Sequence, residues 1–460
     1  MTDIHWDSAA GIAASVAAGT ITARAVIEAT LGRIAERDGV LNAFTDVTWA
    51  RALARADAID AGAVSGPLAG VPFAVKNLFD VAELPTRAGS AINRERAPAE
   101  RDSVLIERLE RAGAVLVGAL NMGEYAYDFT GENLHDGPSR NPHDTTRMTG
   151  GSSGGSGGAV AGGLVPLALG SDTNGSIRVP ASLCGLFGLK PTFGRLPRSG
   201  SFPFVSSLDH LGPLARSVRD LALAYDAMQG HDVGDPACAD RPADPVTPTL
   251  DSGLSGLRIA RAGGYFRANQ MPEATAAVDR IAAALDIRRD IELPEVARAR
   301  AAAYLITTAE GAALHLKRLR SRAADFDPDV RDRLIAGAMI PAPMLIQAQK
   351  FRRWYRDAML RLFEGVDAII APATPCSAPL LGQKTFVLDG VELPVRANMG
   401  IFTQPISFIG LPVVAVPVAG TMPIAVQIIA PPWREDIALR IARYLESTGA
   451  ATAQRPADQE

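Results

Sequence analysis

The amino-acid sequence predicts an α/β protein in which helices cover both faces of a central sheet. Two short apolar segments, 68–76 and 114–120, are typical of buried strands, and an amphipathic helix pattern at 103–112 lies between them. Near the end of the chain, residues 367–372 and 402–429 again have the composition of short buried strands. Because both ends of the chain contribute strands, we expect them to build the sheet together.

The length and composition limit the possible architectures. The chain has 460 residues, of which 47% are hydrophobic and 21% are charged. It exceeds the ~250 residues at which single cores usually stop growing, and it is too apolar to be disordered. We therefore expect one unusually large domain or two fused ones.

The helical patterns divide the chain into three parts. Residues 1–66 are predicted to form an N-terminal helical segment, with Thr22 capping a helix that ends near Gly39. Residues 67–460 are predicted to form the main domain. Within it, the segment at about 257–365 is mostly helical and rich in arginine, so we expect a mainly helical insertion there.

The composition excludes several classes of function. A net charge of −4 and an isoelectric point near 6.0 exclude a globally basic nucleic-acid binder, so we expect no direct contact with nucleic acid. The three cysteines are too few and too scattered for a disulfide framework, and the six histidines form no HxH or HExxH pair. We therefore expect no metal and no other cofactor.

Neither a membrane span nor a targeting signal is predicted. Residues 397–433 carry no charge, but prolines interrupt this stretch every few residues, which favours short buried strands over a spanning helix. Residues 1–7 include acidic side chains where a secretory signal needs basic ones. We therefore expect a cytoplasmic protein without membrane association.

Two serines in glycine-rich turns and one lysine on an apolar strand stand out as candidate catalytic residues. Ser152 lies in the run Gly-Gly-Ser-Ser-Gly-Gly-Ser-Gly-Gly at 150–158, and Ser176 ends the run Gly-Ser-Asp-Thr-Asn-Gly-Ser at 170–176. Lys76 ends a predicted buried strand. Because only five of the 46 basic residues are lysines, lysine is not the usual surface cation of this chain.

This combination of residues favours nucleophilic catalysis by serine. A serine hydroxyl attacks a carbonyl only when another group removes its proton. A lysine in apolar surroundings has a lowered pKa and can be that base near pH 7, and a second serine can relay the proton because a hydroxyl both accepts and donates. The oxyanion that forms needs donors in place, which the backbone N–H groups of a glycine-containing turn supply.

Other interpretations of the glycine-rich run and the lysine remain open. Residues 150–154 and 154–158 each match the G-x-S-x-G pattern of a nucleophile elbow, but that motif needs a preceding strand, which we do not expect. A phosphate-binding loop is disfavoured because G-x-G-x-x-G is absent. Lys76 is alternatively a core lysine ion-paired with Asp80 or Asp172.

Cys184 is a further candidate nucleophile. Its surroundings, Pro-Ala-Ser-Leu-Cys-Gly at 180–185, favour a small buried packing residue over a reactive thiol.

The block from Gly150 to Thr192 ends in Gly-Leu-Phe-Gly-Leu-Lys-Pro-Thr, and residues 70–77 read Gly-Val-Pro-Phe-Ala-Val-Lys-Asn. Both resemble the amidase signature family, and weaker similarity extends over nearly the whole chain. The resemblance implies the amidase signature fold, a large mixed β-sheet covered by helices on both faces. It also implies amide hydrolysis through an acyl-enzyme, without a cofactor.

The same resemblance implies a role for each candidate residue. Ser176 would be the nucleophile, Ser152 the relay serine after a cis peptide bond, and Lys76 the base. The backbone N–H groups of three residues would form the oxyanion hole: Thr173, Asn174 and Gly175. Asn174 replaces the glycine of many relatives, which implies either a left-handed turn or a side chain that reaches the substrate.

Segments between residues 171 and 213 closely resemble the carboxybiuret hydrolases of cyanuric acid breakdown. The resemblance implies that ammonia is released from a small acidic urea-like amide. Arg178 would either hold a substrate carboxylate with its guanidinium fork or form a structural salt bridge to Asp172. Tyr127 and Asn133 are candidate pocket residues on the resemblance alone.

Three other functions remain open. The chain is alternatively the glutaminase (A-type) subunit of a tRNA-dependent amidotransferase, a general small-amide amidase, or a binding module that keeps the fold without catalysis. Relatives imply a small helical partner resembling the C-type subunit of the amidotransferases. The N-terminal helices or the 257–365 insertion would bind it, and a homo-oligomer is a further alternative.

Overall fold

A mixed sheet of eleven strands lies at the centre of the computed structural model, which describes residues 4–457 of the chain. The strands in chain order are β1 (Phe44–Val47), β2 (Pro72–Lys76), β3 (Val115–Leu120), β4 (Arg140–Asn141), β5 (Asp144–Met148), β6 (Leu167–Asp172), β7 (Phe187–Lys190), β8 (His210–Ala215), β9 (Ile259–Ala262), β10 (Asp290–Ile291), β11 (Ala368–Pro372), β12 (Thr385–Leu388), β13 (Val391–Pro394), β14 (Val413–Val418) and β15 (Ile424–Ile429).

Helices alternate with these strands along the chain. They are α1 (Ala9–Ala17), α2 (Ala23–Leu41), α3 (Trp49–Asp60), α4 (Val104–Arg111), α5 (Gly154–Ala161), α6 (Arg178–Leu183), α7 (Val218–Met228), α8 (Pro272–Ala284), α9 (Val296–Arg322), α10 (Pro328–Ala338), α11 (Ala342–Phe363), α12 (Val395–Asn398), α13 (Gln404–Ser407) and α14 (Glu435–Ser447). Of the helices formed within residues 4–457, none has the length and apolar character needed to cross a membrane.

The strands of the main sheet follow the order β1-β3-β2-β6-β8-β7-β14-β15-β11-β9-β10. Parallel pairing joins β3, β2 and β6 on one side and β11, β9 and β10 on the other, and antiparallel pairs lie between them. Along β2, Phe73 and Val75 pack into one core cluster and Ala74 into another, so both faces of the sheet are covered. The predicted α/β class with a large mixed sheet is confirmed.

Several predicted elements occur close to the expected positions. The helix predicted at 103–112 is α4, and the two apolar segments flanking it form β2 and β3. The Thr22 side chain caps α2 by accepting a hydrogen bond from the Ala25 N–H at 3.1 Å. The segments predicted as strands at each end of the chain therefore lie side by side in one sheet.

Two local predictions are wrong. The N-terminal segment predicted to be helical is not helical throughout, because it contains β1, which pairs antiparallel with β3 at the edge of the sheet. The helix before it ends at Asn42, whose left-handed backbone turns the chain into β1. Residues 404–407 form α13 and not a strand, with Pro405 in its first turn, where proline is favoured.

Residues 272–363 are mainly helical, as the sequence pattern indicates. The long helix α9 packs against α10 and α11, and it also contacts α13 near the carboxyl end of β6. Thr307 and Thr308, in the middle of α9, are buried. One face of this helix therefore closes the region that holds the candidate catalytic residues. The first three residues, on which part of the targeting prediction rests, lie outside the described range.

Candidate active site

Lys76 and Ser171 lie at the carboxyl ends of two adjacent parallel strands. Lys76 is the last residue of β2, and Ser171 is the next-to-last residue of β6. Val75 of β2 is in register with Leu169 of β6, so the ends of the strands meet at the same edge. The edge of a parallel region, where loops begin, is the usual place for a site in such sheets.

The amine of Lys76 is surrounded by three hydroxyl groups. Its Nζ lies 2.7 Å from Ser152 Oγ, 3.0 Å from Ser153 Oγ and 2.9 Å from Ser171 Oγ. Lys76 is 0% exposed, and it forms no ion pair with Asp80 or Asp172. The interpretation as an ion-paired core lysine is therefore wrong, because both carboxylates bind other groups.

Burial makes this amine a base near neutral pH. Loss of solvation lowers the pKa of Lys76 from 10.5 to about 7, against the attraction of three carboxylates that favours the charged form. The largest of these opposing effects comes from Asp172, followed by Asp209 and Asp128. At pH 7 a substantial fraction of the lysine is therefore neutral and can accept a proton.

Ser152 follows a cis peptide bond from Gly151, as the resemblance implies. The expectation that no strand precedes it is wrong, because β5 ends at Met148 and α5 starts at Gly154. This strand belongs to a separate two-stranded sheet with β4. The Ser152 hydroxyl is fully buried and lies against Lys76, whereas the nucleophile of an elbow points outward to the substrate.

Ser176 lies on the wall of a cavity of about 480 Å³. Within residues 4–457 its hydroxyl takes part in no hydrogen bond, so the structure brings Lys76 and Ser152 together without a direct bond from Ser152 to Ser176. Catalytic hydrogen bonds are often completed only in the substrate complex. The relay between the two serines is therefore a proposal and is taken up below.

The turn from residue 173 to 176 presents backbone N–H groups without acceptors in the described part of the chain. Gly175 has a φ of +144°, and an added Cβ would overlap the Thr403 side chain. Only glycine therefore fits this turn. Thr403 Oγ1 also donates to the Asn174 carbonyl at 2.6 Å, which holds the turn from the opposite side. Consecutive free N–H groups beside a serine are the donors that an oxyanion requires.

Arg178 does not line the cavity, and its predicted role in substrate binding is wrong. It is 0% exposed and forms an ion pair with Asp172, with Nε 2.9 Å from Oδ2 and Nη2 3.0 Å from Oδ1. Its Nη1 donates to Gln427 Oε1 at 2.6 Å, and Nη2 donates to Ser407 Oγ. All three nitrogens of the guanidinium donate hydrogen bonds within the protein, so Arg178 forms the structural salt bridge that was the alternative prediction.

The prediction that Asn133 is a pocket residue, which rests on the resemblance, is also wrong. Its Nδ2 donates to the carbonyls of Gly89 and Met122, each at 2.7 Å, and its Oδ1 accepts the N–H groups of His135 and Asp136. The side chain therefore holds the loop together and does not reach the cavity.

Tyr127 does line the cavity, but its hydroxyl donates to Thr308 Oγ1 at 3.3 Å. The guanidinium of Arg333 lies 3.8 Å from the centre of its ring. Tyr127 therefore forms part of the wall and orients Arg333.

Sequence reasoning missed several residues at this site. Ser153 and Ser171 contact the amine of Lys76 directly. Three basic residues line the cavity: Arg333, Lys384 and Arg396. The pairing of parallel strands could have indicated Ser171, whereas no local pattern marks the basic residues.

The structure also decides the role of Cys184 and shows whether side chains are arranged to bind a metal ion. Cys184 is buried, and loss of solvation raises the pKa of its thiol far above the usual range, so it is not a nucleophile. Among residues 4–457 no group of histidine, cysteine, aspartate and glutamate side chains is arranged to hold a metal ion.

Comparison with known proteins agrees with the fold. The Amidase family profile matches residues 25–439. AtzE, the 1-carboxybiuret hydrolase subunit of Pseudomonas sp. (strain ADP), is 55% identical over 444 residues, which covers 95% of this chain and 97% of that relative. The A-type subunit of the glutamyl-tRNA(Gln) amidotransferase of Azotobacter vinelandii is 38% identical over 483 residues, 97% of this chain and 98% of that relative.

A solved structure, described as an unexpected vestigial protein complex that reveals the origins of an s-triazine catabolic enzyme, has the same fold. It gives a TM-score of 0.96 at 54% identity and covers 97% of this chain and 100% of that chain. The fold and the family match define a hydrolase of amide C–N bonds. The chain belongs to the amidase signature family.

Proposed function

We propose that the protein releases ammonia from a small acidic urea-like amide, of the type of 1-carboxybiuret, through an acyl-enzyme on Ser176. The observation that carries this proposal is the 2.7 Å separation between the Lys76 amine and the Ser152 hydroxyl beside the cavity that Ser176 lines. The 55% identity to a 1-carboxybiuret hydrolase subunit supports the substrate class.

The hydrogen bonds around Lys76 favour proton flow toward its amine. A neutral amine has two N–H groups and one lone pair. The Ser153 hydroxyl donates to the Ser171 carbonyl at 3.2 Å, so it accepts one amine hydrogen. The Ser171 hydroxyl accepts the second at 2.9 Å. The lone pair then faces Ser152, whose hydroxyl donates to it.

In the first step, Ser152 passes its proton to Lys76 and takes the proton of Ser176. The Ser176 oxygen bonds to the substrate carbonyl carbon, and the electron pair of the C=O bond moves to oxygen. The backbone N–H groups of residues 173–176 stabilise this oxyanion, each contributing about 3 kcal/mol.

In the second step, the C–N bond breaks as the oxyanion re-forms the carbonyl. The leaving nitrogen takes a proton from the Ser152 hydroxyl, and ammonia departs. The protonated Lys76 amine then returns a proton to the Ser152 oxygen. Water then attacks the acyl-enzyme by the same route, and Ser176 recovers its proton as the ester C–O bond breaks.

The cavity is lined by three cations and by four carboxylates, namely Asp128, Glu132, Asp329 and Asp332, so an acidic substrate depends on cations that these carboxylates leave unpaired. Arg396 forms ion pairs with three of these carboxylates, at 3.3 Å from Asp128, 3.9 Å from Glu132 and 3.5 Å from Asp329, so its charge is already offset. Arg333 and Lys384 also line the cavity, and in the described part of the chain neither forms an ion pair with a carboxylate. Arg333 Nε and Nη2 donate to the carbonyls of Asp329 and Tyr127, so its Nη1 and the Lys384 amine are the donors proposed for a substrate carboxylate.

We also propose a partner and a location. Exposed apolar side chains lie on α11 and in the turn that precedes it, including Ile346 at 54% and Met339 at 77% exposure, which favours a docking surface. A small helical subunit of the amidotransferase C type is the proposed occupant, and a second copy of the chain is the alternative.

The proposed location is the cytoplasm, because the three free, buried cysteines fit a reducing compartment.

The proposed activity is tested by ammonia release from 1-carboxybiuret, biuret, glutamine and simple amides, with and without a C-type subunit. We expect turnover of the acidic urea-type compound and its loss in Ser176→Ala. Full activity of this variant would contradict the mechanism. Glutamine hydrolysis that depends on the partner would instead support the second candidate, the glutaminase subunit, which the 38% identity to an amidotransferase subunit favours.

A further inference from the structure

The side chain of Asn174 takes no part in the proposed mechanism, although it lies beside the nucleophile. Only 6% of Asn174 is exposed, and it lines the same cavity as Ser176. Its Nδ2 donates to Thr307 Oγ1 on α9 at 2.8 Å. Its Oδ1 is buried and receives no hydrogen bond from any residue between 4 and 457. A buried acceptor without a donor is costly unless a ligand supplies one.

Hydrogen bonds hold both the side chain and the backbone of Asn174 in place. Thr307 binds the amide nitrogen, and Thr403 donates to the backbone carbonyl at 2.6 Å. The Cα atoms of Asn174 and Ser176 are two residues apart, which is at most about 7 Å. Both residues also line one cavity, so a small acyl group attached to Ser176 lies beside the Asn174 side chain.

We propose that Asn174 determines specificity for urea-type amides by accepting, through Oδ1, the N–H on the acyl side of the scissile carbonyl. This inference rests on the proposed function. A urea has nitrogen on both sides of its carbonyl, and the N–H on the side that is not cleaved satisfies the buried acceptor. A carbon amide has a methylene group at that position, so the acceptor stays without a donor in its complex. Glutamine belongs to this second class.

Two stable acids that differ only at this position test the inference: N-carbamoylglycine, which has an N–H group next to the scissile carbonyl, and succinamate, which has a methylene group there. We expect the ratio of kcat/KM for N-carbamoylglycine to that for succinamate to be at least about tenfold higher in the unmodified protein than in Asn174→Ala. The lower intrinsic reactivity of a urea carbonyl affects both proteins alike, so it cancels in this comparison. If Asn174 instead contacted the leaving amide group, Asn174→Ala would lower the rates for both acids equally, and this result would overturn the inference.

Asn174→Asp and Gln270→Ala are the matched controls. An aspartate keeps an acceptor oxygen while Thr307 donates to the other one, so we expect the ratio to persist although both acids react more slowly. Gln270 also has a buried carboxamide oxygen without a donor in the described part of the chain, but it lies outside the cavity. Its substitution should leave the ratio unchanged, and an equal change there would contradict a specific role for Asn174.

A binding measurement separates this inference from the proposed activity. In Ser176→Ala, calorimetry should show N-carbamoylglycine binding at least about tenfold more tightly than succinamate, and addition of Asn174→Ala should remove the difference. Equal binding of the two acids would overturn the role of Asn174. Absence of ammonia release by the unmodified protein would contradict the proposed function, while the binding ratio would still decide the role of Asn174.

Discussion

Two lysines are completely buried in this protein, and they differ in what surrounds the amine. Burial lowers the pKa of both Lys76 and Lys190 from 10.5 to about 7. Lys76 at the end of β2 contacts three serine hydroxyls, which can both accept and donate. Lys190 at the end of β7 donates to the carbonyls of Pro191, at 3.0 Å, and Leu411. Carbonyl oxygens have no hydrogen to give.

The comparison shows that burial alone does not make a lysine catalytic. Both amines have the basicity that proton transfer near pH 7 requires, but only Lys76 has a neighbour that can deliver a proton to it. Asp172 acts on both lysines, and its ion-pair partner Arg178 acts on Lys190. Asp172 favours the charged form of each, and Arg178 opposes the charge of Lys190.

The largest expected effect separates the two lysines by activity. Lys76→Met removes the base, so we expect kcat/KM to fall by at least about 1,000-fold. Lys190→Met leaves the proton path intact, so activity per folded molecule should stay within about threefold of the unmodified protein. Circular dichroism measures the folded fraction of each variant independently of the reactivity of Ser176. A comparable loss of activity in both variants would show that the hydrogen-bond partners of the amine do not decide whether a buried lysine is catalytic.

Arg178→Met tests the region between the lysines. Burial alone would raise the pKa of the Asp172 carboxyl, but the Arg178 guanidinium holds it well below its usual range. Removal of the arginine leaves a buried carboxylate without its cation, which should lower the free energy of unfolding by about 3 kcal/mol. Urea denaturation measures this loss.

The exposed Arg434, which pairs with Asp436 at 2.9 Å, provides a matched control for Arg178. Arg434→Met should change the unfolding free energy by less than about 1 kcal/mol. A raised KM for an acidic substrate in Arg178→Met without loss of stability would restore the discarded role in substrate binding.

The pH dependence of activity should report Lys76 and not Lys190. The neutral amine is the active form, and its folded-state pKa is about 7, so activity is present above that pH and is lost as the pH falls through it. Below pH 7 we expect kcat/KM to fall about tenfold per pH unit. Lys190→Met should leave the midpoint in place. Activity that stays constant down to pH 5 would contradict a lysine base.

The sequence indicated Lys76, Ser152 and Ser176 because each lies in a local pattern that can be read without the fold. It also indicated β2 and β3, whose apolar runs have turn residues at their ends. The short edge strand β1 was missed because it has only four residues, one buried and three half-buried, which carry little pattern.

The role of Arg178 depends on distant parts of the chain. Its partner Gln427 is 249 positions away, and Ser407 is 229 positions away. No reading of neighbouring residues could decide between a substrate carboxylate and a structural network. The same limit applies to Asn174, whose partner Thr307 is 133 positions away on α9.

The smallest effect should come from the hydroxyls that orient the amine. Ser171→Ala removes one acceptor of Lys76, so the lone pair no longer faces Ser152 at all times. We expect kcat to fall about fivefold to tenfold, which corresponds to the loss of one hydrogen bond. KM should stay unchanged because Ser171 does not line the cavity with Ser176. Steady-state kinetics at pH 8 separates the two constants.

Ser156→Ala provides the control, because its hydroxyl is equally buried but donates to the Leu169 carbonyl at 3.0 Å and does not contact Lys76. Both substitutions remove one buried hydroxyl from the same region, so a loss of packing or stability would affect them alike. A fall in kcat limited to Ser171→Ala would show that orientation of the amine matters beyond its basicity. Equal falls in kcat in Ser171→Ala and Ser156→Ala would show that the Ser171 contact does not matter for catalysis. The contact with Ser152 would then be what distinguishes Lys76 from Lys190.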